Sequence, residues 1–101
     1  MSFLDIFLGR KQYSSYQVLL SREEIDDIVA LSALPSLTGT EEKAVERALE
    51  ARRLGDGRIS LSQIDETLRK LEREKQISEN DREALMRVFE QYIRKKTDSK
   101  I

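Results

Sequence analysis

Apolar residues recur along this chain at intervals of three and four, the spacing that stacks side chains on one face of an α-helix. Ile25, Ile28 and Val29 form one stripe, with Leu31 and Leu34 broadening it. Pro35 marks its end by disfavouring helix at Leu34. Ala44, Val45, Ala48 and Leu49, with Ala51 adjacent, make a second stripe of small residues that would let a neighbouring helix approach closely. Leu61, Ile64, Leu68 and Leu71 step by three, four and three, a narrow seam of the coiled-coil type. The broadest apolar face is Leu85, Val88, Phe89, Tyr92 and Ile93, with Met86 at its margin. Ahead of all these lies Phe3 to Leu8, apolar except for Asp5, a short helix extending toward Lys11. Val18, Leu19 and Leu20 are a short apolar run equally compatible with strand and helix.

The polar positions say where the helices begin and end. Ser21 with Glu24, and Ser60 with Gln63, have the spacing of a capping box, in which each side chain satisfies a backbone N–H at the helix start. Thr38 or Thr40 caps the small-residue helix, with Glu41 and Glu42 placing negative charge in its first turn. Ser78 caps the last helix, followed by Glu79 and Asp81. Arg52-Arg53 and Arg94-Lys95-Lys96 sit at helix C-termini, the favourable end for cations. Gly55-Asp56-Gly57 is expected to stop a helix through the left-handed conformations glycine accepts. Asp65–Arg69 and Glu66–Lys70 are spaced to support an exposed face, each pair worth about 0.2–0.5 kcal/mol. The pattern predicts an all-α fold: a compact bundle of four main helices plus a short N-terminal one. It divides into an amphipathic and aromatic segment at 1–20, a helical domain at 21–96 and a flexible tail at 97–101.

Composition narrows the chemistry. The chain has 101 residues, with 18 Lys+Arg against 19 Asp+Glu, and neither His nor Cys. Thiol nucleophiles, imidazole bases, disulfides and the usual zinc ligands are therefore absent. A net charge of −1 argues against nucleic-acid binding driven by bulk electrostatics. Glu42, Glu46 and Glu50 line one side of a helix, and Glu23 and Asp27 pair on another. Such ridges read as solvated acidic faces, because magnesium needs converging ligands and substrate oxygens. Neither enzyme nor cofactor is expected. Phe3 to Leu8 falls far short of the ~20 apolar residues of a bilayer span. Arg10 and Lys11 follow it, whereas a secretory signal places its cations first. Cytoplasm is the default location, with peripheral membrane contact as a variant.

Three stretches resemble known families. Leu54 to Ser60 resembles the centre of an EF-hand loop, with Gly57 as the turning glycine, Ile59 as the apolar position and Asp56 as the ligand before the glycine. The other ligand positions fall on Arg52, Leu54, Arg58, Ser60 and Gln63. A cation first, an aliphatic second and an amide last leave no calcium coordination. The expectation is an EF-hand-like helix–loop–helix without metal. The same run is similar to the Asp-Gly-x-Ile-Ser junction of tellurite-resistance TerB-like helical domains, from which Gln63 departs where that family has Glu. The start, Met1 to Lys11, resembles the membrane-targeting segment of the bacterial division-site protein MinE as far as about Gln12. Ile59 to Ser78 is similar to the recognition-helix end of winged-helix regulators, although the preceding helix and the wing are missing. Arg69, Lys70, Arg73 and Lys75 would carry DNA contacts on that reading.

The favoured expectation is a small, non-enzymatic helical module for protein–protein interaction or regulation, binding a partner or a second copy. Phe3, Leu4, Ile6, Phe7 and Leu8 would cover more than half of a helix circumference, and their burial is worth roughly 7–15 kcal/mol before ordering costs. A helix this short does not stand alone in water. Its own core, a second copy, a protein partner or a lipid surface must cover it. Tyr13 and Tyr16 join it as candidate contacts, because tyrosine buries a large area with a polar handle, and packing on the core is the competing reading. The alternatives are a DNA-binding regulator of winged-helix-like character and a peripheral membrane adaptor.

Overall fold

The computed structural model describes residues 12–98. In chain order it contains β1 (Val18–Leu19), α1 (Arg22–Ser32), α2 (Gly39–Arg52), β2 (Arg58–Ile59), α3 (Leu61–Arg73) and α4 (Glu79–Asp98). The fold is mostly helical, as the apolar spacing predicts. The expected N-terminal helix and the last three residues of the expected tail lie outside the described residues.

The helix starts follow the polar pattern. Ser21 Oγ accepts the Glu24 N–H at 3.0 Å, and the Glu24 carboxylate accepts the Ser21 N–H at 2.9 Å. Ser60 and Gln63 repeat this at 3.1 and 2.9 Å. Thr38, rather than Thr40, caps α2 through Glu41 at 3.2 and 2.8 Å. At α4, Ser78 pairs with Asp81 at 3.1 and 3.3 Å. These contacts satisfy N–H groups that a helix cannot pair internally.

The helix ends depart from expectation. α2 stops at Arg53, whose φ of −61° and ψ of 148° are extended, so no left-handed glycine ends it. Only Gly57 of the Gly-Asp-Gly run is left-handed, with φ of 87°. Instead, Ala33 (φ 46°) closes α1 and Lys75 (φ 62°) follows α3. The Lys75 N–H donates to Glu72 O and the Gln76 N–H to Leu71 O, each at 2.9 Å, the paired bonds of a Schellman turn. At the other end of the chain, α4 runs through Asp98, and the Thr97 hydroxyl donates to Ile93 O at 3.0 Å.

The ambiguous run Val18 to Leu20 is extended. β1 and β2 are antiparallel, with Val18 opposite Ile59 and Leu19 opposite Arg58. Val18 and Leu20 are buried while Leu19 is 49% exposed, the two-residue alternation of a strand. The outer edge of β2 is occupied from within: Arg58 O accepts the Leu54 N–H at 2.8 Å, and the Arg58 N–H donates to Asp56 at 3.3 Å.

The four helices form a ring in which α1 packs on α2 and α4, and α3 packs on the same two. Ile25, Ile28 and Val29 of α1 meet Val45 and Leu49, Ile64 and Leu68, and Leu85 and Phe89 in one core. Three positions differ from the sequence pattern. Met86 is fully buried rather than marginal, because α4 is flanked by both α1 and α3 and its apolar arc must be wider. Leu31 does not broaden the core stripe; it is 67% exposed. Asp65 is buried instead of lying on an exposed face, because its side of α3 meets Arg82 of α4. Arg69 Nε contacts Asp65 at 2.9 Å, and Arg82, itself buried, joins Glu72 and Asp65.

Candidate partner-binding surface

The described chain enters along the ends of α3 and α4. Ser14 O accepts the Ser62 N–H at 2.9 Å, tying the segment to the first turn of α3. Tyr13 is half-buried and packs against the core, whereas Tyr16 is 71% exposed. Of the two candidate tyrosines, Tyr16 therefore presents its ring outward. Beside it lies a cleft of about 910 Å³, walled by residues 14–19, Arg58, Lys96 and Thr97. Leu19 contributes an apolar side chain to this cleft. The candidates Phe3, Leu4, Ile6, Phe7 and Leu8 lie outside the described residues.

One wall of the cleft is locked by a contact that no local spacing in the sequence signals. Lys96 Nζ donates to both Glu24 oxygens, at 3.0 and 2.8 Å, and also to Leu19 O. The Tyr92 hydroxyl donates to Glu24 Oε2 at 2.6 Å. Burial alone would push the Glu24 carboxyl up, but Lys96, the Ser21 N–H and Tyr92 outweigh it and hold it at about 2. The same hydrogen bond, with burial second, pushes the Tyr92 hydroxyl up to about 12. The capping Glu24 thus also fastens the end of α4 to the β1–α1 junction. Its spacing from Ser21 signals the cap, but nothing local signals a partner 72 residues away.

The Gly-Asp-Gly loop is similarly self-occupied. Asp56 Oδ2 faces Arg58 Nε at 3.2 Å, and Gln63 Oε1 accepts from Ser60 N–H and from Gln17 Nε2 at 3.2 Å. Arg53 Nη1 reaches across to donate to Leu20 O at 2.9 Å. It lies 3.3 Å from where a Cβ on Gly57 would stand, so the guanidinium and the left-handed backbone both favour glycine there.

Between α1 and α2, Asp26 faces Glu46 and Glu50. Burial, reinforced by Asp26 and by the neighbouring acids Glu42 and Glu50, pushes the Glu46 carboxyl up against the opposing Lys43. Burial and a hydrogen bond that the protonated Glu50 donates to Asp26 likewise raise Glu50, which Arg22 partly offsets at 3.3 Å. Asp26 Oδ1 is buried without a hydrogen-bond partner. Among the described residues, no three or more acidic side chains converge as metal ligands.

The four residues considered for DNA contact are dispersed in their roles. Arg69 is half-buried and engaged by Asp65. Lys70 and Arg73 are exposed beside a shallow groove against α2, and Lys75 sits in the left-handed turn after α3. A further groove, between Leu31 of α1 and Val88 and Tyr92 of α4, measures about 510 Å³. The sequence pattern hides it, because Leu31 falls in register with the apolar stripe of α1 yet is exposed. Among the described residues no helix is long and apolar enough to cross a membrane. Comparison of the chain with protein-family models, with curated proteins and with solved structures finds no match.

Proposed function

We propose that this chain is a small, non-enzymatic helical module that binds a protein partner at the pole where Tyr16 and Leu19 emerge. The observation that carries this reading is the exposure of these two side chains, 71% and 49%, beside the cleft formed by residues 14–19 and the end of α4. Large apolar groups rimmed by polar ones mark interaction sites more often than ordinary surface. The apolar run Phe3 to Leu8 precedes this pole by only a few residues, so both would act on one partner.

Within this reading, α2, β2 and α3 act as an EF-hand-like helix–loop–helix that Arg53, beside Gly57, ties to the preceding segment. The Arg53 hydrogen bond to Leu20 O links the end of α2 to the β1–α1 junction. Calcium titration monitored by amide shifts at Asp56 should give no saturable response. Saturation in the micromolar range would refute this part.

The module itself is tested by affinity purification with the full chain, a Tyr16→Ala/Leu19→Ser variant and a chain lacking residues 1–11. A specific partner should be enriched by the full chain and lost with both altered forms, while thermal unfolding of the double variant shows that it folds. Identical recovery by all three would reject this pole as the binding surface.

A further inference from the structure

We infer that the groove between the end of α1 and the middle of α4 docks an acidic amphipathic helix of a partner protein. The site is separate from the cleft at Tyr16, and it rests on the same reading of the chain as an interaction module.

The groove floor is apolar. Leu31 is 67% exposed, and Val88 and Tyr92, both half-buried, pack against the core from below. From Val88 to Lys95 the α4 wall runs about 10 Å, two helical turns, at about 1.5 Å per residue. That length accepts the side chains at i, i+3 or i+4, and i+7 of a helix laid in a groove. The volume of about 510 Å³ fits such anchors.

The rim selects charge. Arg87, Gln91, Arg94 and Lys95 are exposed on one arc of α4, and Arg94 and Lys95 line the groove. Glu90 offsets part of this, at 3.5 Å from Arg94. On α1, Asp27 lies one turn before Leu31 and near enough to Tyr92 to act on its hydroxyl. From α1 only Leu31 lines the groove, so the charge of the lining itself is that of Arg94 and Lys95 on α4. A docked helix would turn its acidic flank to α4.

Other occupants fit less well. The apolar stripes of α1 to α4 are spent on the core, so the described residues of a second copy offer no unburied amphipathic helix. The chain's own Phe3 to Leu8 run is followed by Arg10 and Lys11, the wrong sign for the α4 rim. A flat lipid surface cannot fill a two-walled groove.

The test uses the full chain labelled with nitrogen-15 and a designed helical peptide with leucines at i, i+3 and i+7 and glutamates along one flank. A second peptide carries lysines in place of the glutamates. The acidic peptide should shift the amides of Leu31, Val88 and Tyr92 saturably. The lysine peptide, Leu31→Ser, and Arg94→Glu/Lys95→Glu should each weaken binding about tenfold. All three substituted positions are exposed, and unchanged thermal unfolding would show that the fold survives. Absence of saturable shifts, or equal affinity for both peptides, overturns the inference. So does the same response to phosphatidylglycerol vesicles, or peptide binding that appears only after removal of residues 1–11. None of these outcomes bears on the recovery experiment at Tyr16 and Leu19, which judges the module reading by itself.

Discussion

Glu24 has three tasks on one carboxylate: it completes the cap of α1, receives Lys96 and accepts from Tyr92. Its depressed ionisation, about 2 against an ordinary 4.5, means that the folded state favours the charged form. The stability it contributes is therefore complete above 4.5 and is lost as pH falls from there toward 2. Glu24→Gln should cost about 2 kcal/mol at neutral pH after allowance for solvent screening, with the difference closing near pH 2. Urea unfolding across that range measures it. The same substitution should bring down the tyrosine that otherwise ionises near 12, visible in ultraviolet titration. Glu46 has the opposite sign. Its raised ionisation makes it a burden at neutral pH, since stability is lost as pH rises through the folded value. Glu46→Gln should stabilise by about 0.5 kcal/mol at pH 7 and give no gain below 4.5, as thermal melts at the two pH values would show.

At the scale of the element, starts and stops obey different chemistry. Each start uses a serine or threonine and the residue three places on, a local arrangement visible in the sequence. Two stops use left-handed residues that are not glycine, Ala33 and Lys75. Their Cβ atoms crowd the following backbone, and tertiary packing overrides this preference. Lys75→Gly should therefore stabilise the chain by about 0.5–1 kcal/mol, and Ala33→Gly similarly, read from denaturant midpoints with unchanged slopes. Glycine at these positions would be cheap to predict only once the turn geometry is known. The sequence's own glycine signal was half misleading: Gly57 needs its left-handed backbone, but Gly55 has neither a positive φ nor a close neighbour.

For the whole molecule, the ring of helices converts sequence-distant residues into partners. Arg82 of α4 is buried between Glu72 and Asp65 of α3. Removing it leaves the buried Asp65 with Arg69 alone and strips the partly exposed Glu72 of its cation, so Arg82→Ala should cost about 1–2 kcal/mol in urea unfolding. Asp65 had the spacing of a surface pair with Arg69, and that pair does form. Its burial follows from which flank of α3 meets α4, which an i, i+4 spacing cannot reveal. Leu31 is the converse case. It lies within reach of the α1 stripe, but α2 and α4 close around Ile25, Ile28 and Val29 and leave it outside. The candidate surfaces share this origin: Tyr16 and Leu19 are exposed because Tyr13, Val18 and Leu20 take the inward positions.

The sequence by itself determined the helical class, the four main apolar stripes and three of the four described helix starts, with that of α2 narrowed to Thr38 or Thr40, because these depend on contacts three or four residues apart. It also excluded thiol and imidazole chemistry through composition alone. Only the tertiary structure decided that Val18 to Leu20 is a strand, that Glu24 latches Lys96 and that Leu31 opens a groove. Those outcomes depend on residues tens of positions away, such as Ile59 opposite Val18 and Lys96 beside Glu24. A local pattern can specify which face of a helix is apolar. The neighbours that cover that face are chosen by the closing of the ring.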